Sequence, residues 1–467
     1  MSQVSILSGI YANAASDFRV SYPRNLVPIG LQSGISSGYL RPAEGIVEVG
    51  TGPGIDRGGI NWNGVCYRVM GSSLVSIDAN GVVTALGDVG SGDEVTLDYS
   101  FDRLAIASGR KLFYYMSGTV TQVTDPDLGA VLDVVWVDGY FMTTDGTSLV
   151  VTELNDPYAV NPLKYGSSEA DPDPVKGLLK LRNEIYACNR YTIEVFQDVG
   201  GDLFPFQRVQ GAQIQKGAIG THTATVYLDA IAFLGSGRNE APAIWTASNG
   251  NTLNISTREI EQVLRKYSES QLASAVLETR STDNRKLLYV HLLEQTLVFD
   301  GAASAVLQQP IWYILTSSIT GLSKYRARNF VWCYDKWLCG DPTTSKIGEL
   351  SDLVSSHYGE LNGWECSTAI VYNGGKGAIF QELELVCLTG RVDIGVESTV
   401  WTSYSVDGMA FSNEKPKLLG KTGDTLKRIV WYQNGFMRNW RCQRFRGTSD
   451  SHLTIARLEV KLEALNG

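Results

Sequence analysis

Residues 136–153 read WVDGYFMTTDGTSLVVTE, and this stretch contains the structural unit that most of the chain repeats. Apolar and polar residues alternate on both sides of Asp138 and Gly139, and a second polar turn follows at Asp145 and Gly146. Asp-Gly pairs favour the tight turns that join twisted antiparallel strands, and alternation with a period of two is typical of a strand with one buried face. The stretch therefore predicts three consecutive antiparallel strands.

Six further units of the same kind occur along the chain. The first turns of the seven units lie at Asn63-Gly64, Asp102-Arg103, Asp138-Gly139, Arg182-Asn183, Asp229-Ala230, Asn284-Arg285 and Arg328-Asn329. They are separated by 39, 36, 44, 47, 55 and 44 residues. A unit of this length with about four strands has the size of a β-propeller blade. We predict an all-β protein with a propeller of about seven blades over residues 60–360. A series of unrelated β-sandwiches with similar hairpins is the alternative.

One helical insertion interrupts the repeat at about residues 256–279. Ser256 and Glu259 have the spacing of a capping box, and the apolar residues that follow fall on one helical face. We predict one helix, or two short helices broken near Ser268. The insertion lies in the longest interval between two units.

Both ends of the chain differ from the repeated region. Within residues 361–467, two stretches that begin at Phe380 and at Leu453 alternate strictly, with turn residues every 8 to 12 positions, and this pattern predicts a separate C-terminal β-sandwich. Residues 1–59 are rich in glycine and proline and lack a clear strand rhythm. We expect them to form an extended N-terminal arm with one segment that closes the propeller ring.

The charge is distributed unevenly over the 467 residues. The chain has 40 basic and 49 acidic residues, a net charge of −9, which argues against binding of a nucleic-acid backbone. Residues 365–467 carry 13 basic and 11 acidic residues, net +2, so residues 1–364 carry net −11. The candidate docking residues for an acidic partner are Lys415, Lys417, Lys421, Lys427, Arg428, Arg438, Arg441, Arg444 and Arg446. A solvated face without a partner is the alternative explanation of this basic stretch.

No pattern in the sequence indicates catalytic, cofactor-binding or metal-binding residues. The four histidines are far apart, and His291, in an alternating strand, is expected to be a hydrogen-bonded structural residue. The seven cysteines are scattered, and we expect them to be reduced and to pack in the core. The acid pairs Asp171 with Asp173 and Glu259 with Glu261 fit a proline-rich loop and a first helical turn better than a glycosidase site. With no apolar segment long enough to cross a membrane and no export signal, we expect a soluble protein.

Several stretches resemble the packaged-DNA stabilisation proteins of short-tailed, podovirus-type phages, also described as tail accessory factors or the tail hub. The similar stretches are SSGYLRPAEGI at 36–46, TIEVFQDVG at 192–200, IQKGAIGTH at 214–222, the run at 260–300, and the C-terminal run from FQELELV through SYSVDGMAFS to ARLEVKLEA. They follow one another in the order of the family over almost the whole chain.

The resemblance implies a structural, non-enzymatic virion protein of the phage tail, assembled in the host cytoplasm. It implies a six-fold homo-oligomeric ring below the portal and its adaptor ring, which extends the DNA exit channel and retains the packaged genome. The implied partners are the adaptor ring, the tail needle and the tailspikes, with packaged DNA passing nearby without specific binding and with no insertion into a membrane. Two other hypotheses remain: a carbohydrate- or receptor-binding tail propeller, and a glycan-cleaving propeller enzyme.

Overall fold

Four of the six N-terminal strands belong to sheets that later parts of the chain complete, and the other two, Gly9–Tyr11 and Arg19–Ser21, pair with each other. The computed structural model describes residues 2–7, 9–11, 19–30, 38–154, 156–282, 285–408 and 410–465. The first six strands are β1 (Ser2–Val4), β2 (Gly9–Tyr11), β3 (Arg19–Ser21), β4 (Leu26–Gly30), β5 (Gly38–Pro42) and β6 (Gly45–Thr51).

Seven antiparallel sheets of four or five strands then follow one another along the chain. The strands of the first three are β7 (Asp56–Trp62), β8 (Val65–Met70), β9 (Ser73–Ile77), β10 (Val83–Asp88); β11 (Thr96–Tyr99), β12 (Leu104–Ser108), β13 (Lys111–Met116), β14 (Thr119–Gln122); and β15 (Asp133–Val137), β16 (Tyr140–Thr144), β17 (Ser148–Thr152), β18 (Val160–Ser167). The next two contain β19 (Val175–Leu181), β20 (Glu184–Asn189), β21 (Ile193–Asp198), β22 (Phe206–Arg208); and β23 (Gly217–Ala218), β24 (Ala224–Tyr227), β25 (Ala230–Ser236), β26 (Ala243–Ser248), β27 (Asn251–Asn254). The last two contain β28 (Val276–Thr282), β29 (Arg285–His291), β30 (Thr296–Asp300), β31 (Trp312–Leu315); and β32 (Arg328–Cys333), β33 (Lys336–Gly340), β34 (Lys346–Ser351).

These sheets are the blades of a seven-bladed propeller, as predicted. The first strands of successive blades pack next to one another, and β32 of the seventh blade packs against β7 of the first, so the ring is closed. The strand β6 pairs with β34, with Val47 opposite Glu349, and completes the seventh blade from the N-terminal side. Apolar side chains such as Tyr114 and Phe141, both buried, fill the space between neighbouring blades.

Most of the predicted first turns are observed. Asn63-Gly64, Asp138-Gly139 and Arg182-Asn183 connect the first two strands of their blades, as does the turn containing Asp102, whereas the turn expected at Asp229 and Ala230 begins one residue earlier. Asn284 lies outside the described residues.

The turn predicted at Arg328 and Asn329 is wrong. These two residues open β32, and the turn lies at Tyr334 and Asp335, which both have φ of 56°. Asn329 does adopt a left-handed φ of 57°, but it does so where the pairing register shifts between Arg328 and Val331. Asn329 therefore lies in a β-bulge and not in a turn. Both features can place an asparagine in the left-handed region, so the residue type alone does not distinguish them.

The helical insertion consists of α1 (Arg258–Leu264) and α2 (Glu269–Ala273), which are separated at Ser268. The cap of α1 is Thr257 rather than the predicted Ser256, and its hydroxyl accepts a hydrogen bond from the Ile260 N–H. Ser268 forms a full capping box with Gln271. Because β28 begins at Val276, the helices end before residue 279. A further helix, α3 (Gly301–Leu307), was not predicted, and Asp300 caps its N-terminus.

A β-sandwich of two sheets follows the propeller. Its strands are β35 (Gly363–Ser367), β36 (Val371–Tyr372), β37 (Ala378–Cys387), β38 (Thr399–Ser405), β39 (Lys415–Leu418), β40 (Ile429–Tyr432), β41 (Phe436–Met437), β42 (Trp440–Thr448) and β43 (Ile455–Ala464). One sheet has the order β35-β42-β38-β39, and the other has the order β4-β5-β43-β37-β40 with β1 also paired to β43.

The expected extended N-terminal arm is therefore corrected by the structure. Ser2 pairs with Val460, and Leu40 pairs with Ile455, so β1, β4 and β5 belong to the C-terminal sandwich. Leu26 and Leu40 are completely buried in its core. Each fully buried leucine contributes about 2 kcal/mol to stability, so these strands are structural members of the domain.

Residues 23–25 join the two domains. The Asn25 N–H donates to the Ile314 carbonyl of blade six at 2.8 Å, and the Arg24 N–H donates to the Glu365 carbonyl of the sandwich at 2.9 Å. The Asn25 side-chain amide donates to the Gly363 carbonyl at 2.7 Å, and its oxygen accepts from the Thr316 N–H at 3.0 Å. The N-terminal segment thus holds the propeller and the sandwich together.

Candidate partner-binding surfaces

The nine basic candidate residues of the sandwich fall into three different environments. Arg441 is fully buried, Arg444 and Arg446 lie half-buried on β42, and the other six lie on an edge strand or in loops. The structure therefore does not bring them together as one continuous patch.

Arg441 is a core residue and is removed from the docking candidates. Its guanidinium lies between the rings of Phe380, at 4.0 Å, and Tyr404, at 3.8 Å. It donates to the Asn434 carbonyl at 2.6 Å and to Gln443 Oε1 at 2.8 Å. Burial lowers the pKa of Arg441 to about 10, which leaves it charged at neutral pH. A partner cannot reach this side chain in the folded domain.

Arg444 and Arg446 share one acidic neighbour. Both guanidinium groups form ion pairs with Glu414, and the Arg444 guanidinium lies 3.9 Å above the Phe411 ring. Because both guanidinium groups are half-buried and already engaged with Glu414, these two residues are weaker candidates for partner binding than the exposed lysines. Arg438 is exposed but lies apart, between β41 and β42.

The remaining candidates form what we call the basic edge, residues 415–428, made of β39 and the loop after it. This segment has five basic residues and one acidic residue, a net charge of +4. The Lys427 ammonium lies 3.7 Å from Glu397, and Arg428 donates to Glu384 at 2.8 Å. Lys415, Lys417 and Lys421 have no ion-pair partner in the part of the chain that the structure describes.

The basic edge also exposes two apolar side chains, one at the end of β39 and one on the ordered loop after it. Leu426 is 94% exposed and Leu418 is 47% exposed. The loop is tied to residues 388–397, because the Gly423 N–H donates to the Gly390 carbonyl at 3.1 Å and the neighbouring Thr422 hydroxyl donates to the Val392 carbonyl. Exposed aliphatic side chains held in a fixed loop are typical of an interaction site.

The third blade carries a strongly acidic segment with several exposed carboxylates. Residues 121–170 have eight carboxylates and one lysine, a net charge of −7. Asp127, Asp156 and Glu169 are exposed around β18, the outermost strand of this blade. On the same strand, Leu163 is 64% exposed and Tyr165 is 60% exposed. This acidic and apolar rim was not singled out from the sequence, although the count of charges per repeat would have revealed it.

A largely buried ionic network lies where the first strands of blades one, two and seven begin. Arg68 forms a doubly hydrogen-bonded pair with Asp56 at 2.7 and 2.8 Å. Asn329 of blade seven donates to Asp56 at 2.7 Å, and the neighbouring Arg328 pairs with Glu94 before blade two. Burial raises the pKa of Glu94 to about 7, although the Arg328 charge acts in the opposite direction. The network connects blades one, two and seven at the point of ring closure.

The sequence signal for this network is an acidic residue at or just before the first strand of a blade. Asp56, Glu94 and Asp133 occupy such positions in the first three units. Asp133 accepts the Leu178 N–H of the next blade at 2.7 Å, and burial raises its pKa to about 6. These acids therefore stabilise contacts between blades.

The histidine and the aspartate pair that the sequence analysis considered as possible catalytic residues have structural partners. His291 bonds to Thr296 at 2.9 Å and lies 3.1 Å from Glu278, which confirms the prediction of a hydrogen-bonded structural histidine. Asp171 pairs with Arg238, and Asp173 accepts the Tyr191 N–H.

Cysteines and acidic clusters add no further site in the described part of the chain. Six of the seven cysteines are buried, Cys387 is half-buried, and all seven are free thiols, so they pack in the core as predicted. No group of three or more His, Cys, Asp or Glu side chains that could hold a metal ion occurs among the described residues. The helices of the described residues are all too short or too polar to cross a membrane.

Comparison with known families identifies both domains. Residues 2–355 match the family model of the bacteriophage P22 Gp10 β-propeller, and residues 363–463 match that of the P22 Gp10 β-sandwich. The chain belongs to the bacteriophage P22 Gp10 family. The first match covers more than three quarters of the chain and includes the N-terminal strands of both domains.

A curated relative extends over both domains. The chain is 27% identical over 451 residues to the tail hub protein gp10 of Salmonella phage P22, and the alignment covers 92% of each protein. The chain is therefore homologous to a structural protein of a phage tail. Among solved structures, the WD40 domain of Neurospora crassa Pan2 has a TM-score of 0.44 at 11% identity, with 66% of this chain and 95% of that chain covered. The N-terminal domain of Nup159 has a TM-score of 0.42 at 8% identity, with 70% and 99% covered.

Proposed function

We propose that this protein forms the tail hub of a short-tailed phage. In this proposal six copies form a ring below the portal and adaptor, extend the DNA exit channel, retain the packaged genome, and anchor the tail needle and tailspikes. The observation that supports it best is the match to the P22 tail hub protein over 92% of both chains, with both domains in the same order.

Two physical features suit this role. The propeller and sandwich are joined through residues 23–25 by main-chain hydrogen bonds, so they can act as one rigid spacer between unlike partners. The net charge of −11 on residues 1–364 disfavours binding of the DNA backbone, so DNA can pass without being held. In the same proposal the protein is non-enzymatic and is assembled into virions in the host cytoplasm.

Deletion of the gene in the parent phage tests the proposal. We expect heads that fill with DNA and then lose it, which electron microscopy of particles collected at successive times would record as a rising fraction of empty heads. A plasmid copy of the gene should restore full heads. Heads that stay full in the absence of the protein would overturn genome retention.

Receptor binding is the second candidate, and one observation favours it. Trp332 and Trp337 on blade seven form a pair with ring centroids 5.3 Å apart, and Trp332 is 48% exposed. Both line a cavity of about 1380 Å³ between blades six and seven and the β4–β5 hairpin. Adjacent tryptophans beside polar groups suit a carbohydrate ring. If the deletion leaves full heads that no longer adsorb to cells, this candidate replaces the first.

A further inference from the structure

The sandwich, which carries the basic edge, and the acidic third blade lie on opposite sides of the propeller ring. The sandwich is joined to blades six and seven, through Asn25 on blade six and through β34 and the residues after it on blade seven. In a ring of seven blades, blade three is three and a half steps away from the point between blades six and seven, which is half a turn. One end of the molecule therefore carries the sandwich and the opposite end carries β18.

The surface around β18 combines acidic and apolar groups. Asp156 precedes the strand by four residues, Glu169 follows it by two, and Asp127 lies in a 3₁₀ turn that packs against it. These three carboxylates are exposed and form no ion pair with any residue that the structure describes. Leu163 and Tyr165, two positions apart on the strand, expose their side chains between them.

The basic edge has the complementary composition. Lys415, Lys417 and Lys421 provide ammonium groups without acidic partners among the described residues, and Leu418 and Leu426 provide exposed apolar side chains. Opposite potentials on two surfaces favour their association and set its orientation, and a few well-packed side chains near the centre of the contact supply most of the affinity. A DNA backbone would match the lysines but would leave both leucines exposed, so a protein surface is the better partner.

We propose that the basic edge of one copy docks on the β18 surface of blade three of a second copy. The contact joins two different surfaces on opposite ends of the molecule, and repetition of such a head-to-tail contact produces a closed ring when the rotation between copies permits it. This inference rests on the proposed ring of the tail hub and assigns the surfaces that build it.

Cysteine cross-linking in assembled particles tests the contact directly. Cells infected with the deletion phage would express two variants together, Leu426→Cys and Leu163→Cys, and purified particles would be oxidised and separated on a non-reducing gel. We expect covalent dimers from the mixture and none from either variant alone, because the contact joins unlike surfaces. Six of the seven native cysteines are buried, which keeps the background low.

The matched control is Leu253→Cys in place of Leu163→Cys. Leu253 is 65% exposed on β27, the outermost strand of blade five, so it has the same accessibility in the equivalent place of another blade. It should give no dimer with Leu426→Cys. A dimer formed by one variant alone, a cross-link to a different tail protein, or equal yields with the control would overturn the inference.

A charge exchange gives an independent measurement. Lys417→Glu with Lys421→Glu, or Asp156→Lys with Glu169→Lys, should each lower the yield of infectious particles about tenfold or more, since like charges then face each other. All four changes in one chain should restore the yield to within about threefold of the unmodified protein. Asp88→Lys, an exposed acid on the outermost strand of blade one, should have no effect.

The results separate this inference from the proposed function. One outcome would be that the unmodified protein is needed for genome retention, but no covalent dimer forms and the charge exchange leaves the yield unchanged. In that case only the assignment of surfaces is wrong. If heads retain DNA without the protein, the proposed function fails whatever the cross-links show. Thermal unfolding of each variant as a purified protein would identify any loss of yield that comes from misfolding.

Discussion

At the scale of single residues, the buried and charged Arg441 stabilises the core of the sandwich. The guanidinium is enclosed by two aromatic rings and satisfies the Asn434 carbonyl and the Gln443 side chain. We expect Arg441→Ala to lower the free energy of unfolding by about 2–4 kcal/mol, because it leaves a cavity and two unpaired oxygens. Urea denaturation would measure the change. Arg438→Ala, at an exposed position three residues earlier, should change stability by less than about 0.5 kcal/mol.

His357 determines part of the response to acid. It is buried between the domains, its Nδ1 lies 2.8 Å from the Ser317 hydroxyl, and burial together with the nearby charge of Arg326 lowers its pKa to about 3. A histidine with a depressed pKa in the folded state contributes stability that is complete above its unfolded pKa of about 6.5 and is lost as the pH falls towards 3.

We therefore expect His357→Gln to reduce the loss of stability between pH 7 and pH 4, by roughly 3 kcal/mol if the side-chain packing is kept. Denaturation curves of both proteins at several pH values would measure it. An identical pH dependence of the two proteins would show that the buried imidazole does not titrate in this range. His222, whose pKa burial lowers to about 4, should remain as a second acid-sensitive group in the variant.

At the scale of elements, the strand β6 supplies the fourth strand of blade seven from the N-terminal side of the chain. Ile46 is 1% exposed and packs with Tyr325 and Tyr358, whereas the neighbouring Val47 is 41% exposed on the other face of the strand. We expect Ile46→Ala to lower the free energy of unfolding by about 2–4 kcal/mol and Val47→Ala to lower it by less than about 1 kcal/mol. Urea denaturation would test both. A loss of less than about 1 kcal/mol for Ile46→Ala as well would mean that β6 contributes mainly through its main chain.

The sequence predicted the elements that rely on local signals. Pairs such as Asn63-Gly64 mark hairpins whose two strands are adjacent in the chain, so their period revealed the seven blades. The pairing of Leu40 with Ile455 leaves no local signal, because strands from opposite ends of the chain meet only in the folded protein. The buried Arg441 was a candidate docking residue for a related reason. Alternation along β42 shows that the strand has two faces, but it does not show which face another sheet covers. The acidic rim of blade three combines side chains from loops on both sides of β18, which no single motif describes.

At the scale of the whole molecule, the shared N-terminal segment should make the two domains unfold together. We expect a single calorimetric transition for the unmodified protein. Asn25→Ala removes side-chain hydrogen bonds to both domains and places alanine at φ of 52°. We expect it to lower the free energy of unfolding of the two-domain protein by about 2–3 kcal/mol. The single calorimetric transition should then separate into two. Asn239→Ala, at an exposed position with φ of 61°, has the same backbone strain without the interdomain bonds and should keep one transition.

The shared segment also has a consequence for synthesis on the ribosome. The strands β1, β4 and β5 leave the ribosome before the propeller strands, whereas β43 (Ile455–Ala464), which pairs with β1 and β5, leaves after them. The sandwich therefore cannot be completed before β43 has left the ribosome, and a chain released earlier lacks the strand with which β1 and β5 pair. Such a fragment exposes unpaired strand edges and apolar residues such as Leu26 and Leu40, which chaperones and proteases recognise. A chain that ends before β43 therefore cannot present the basic edge on a finished sandwich.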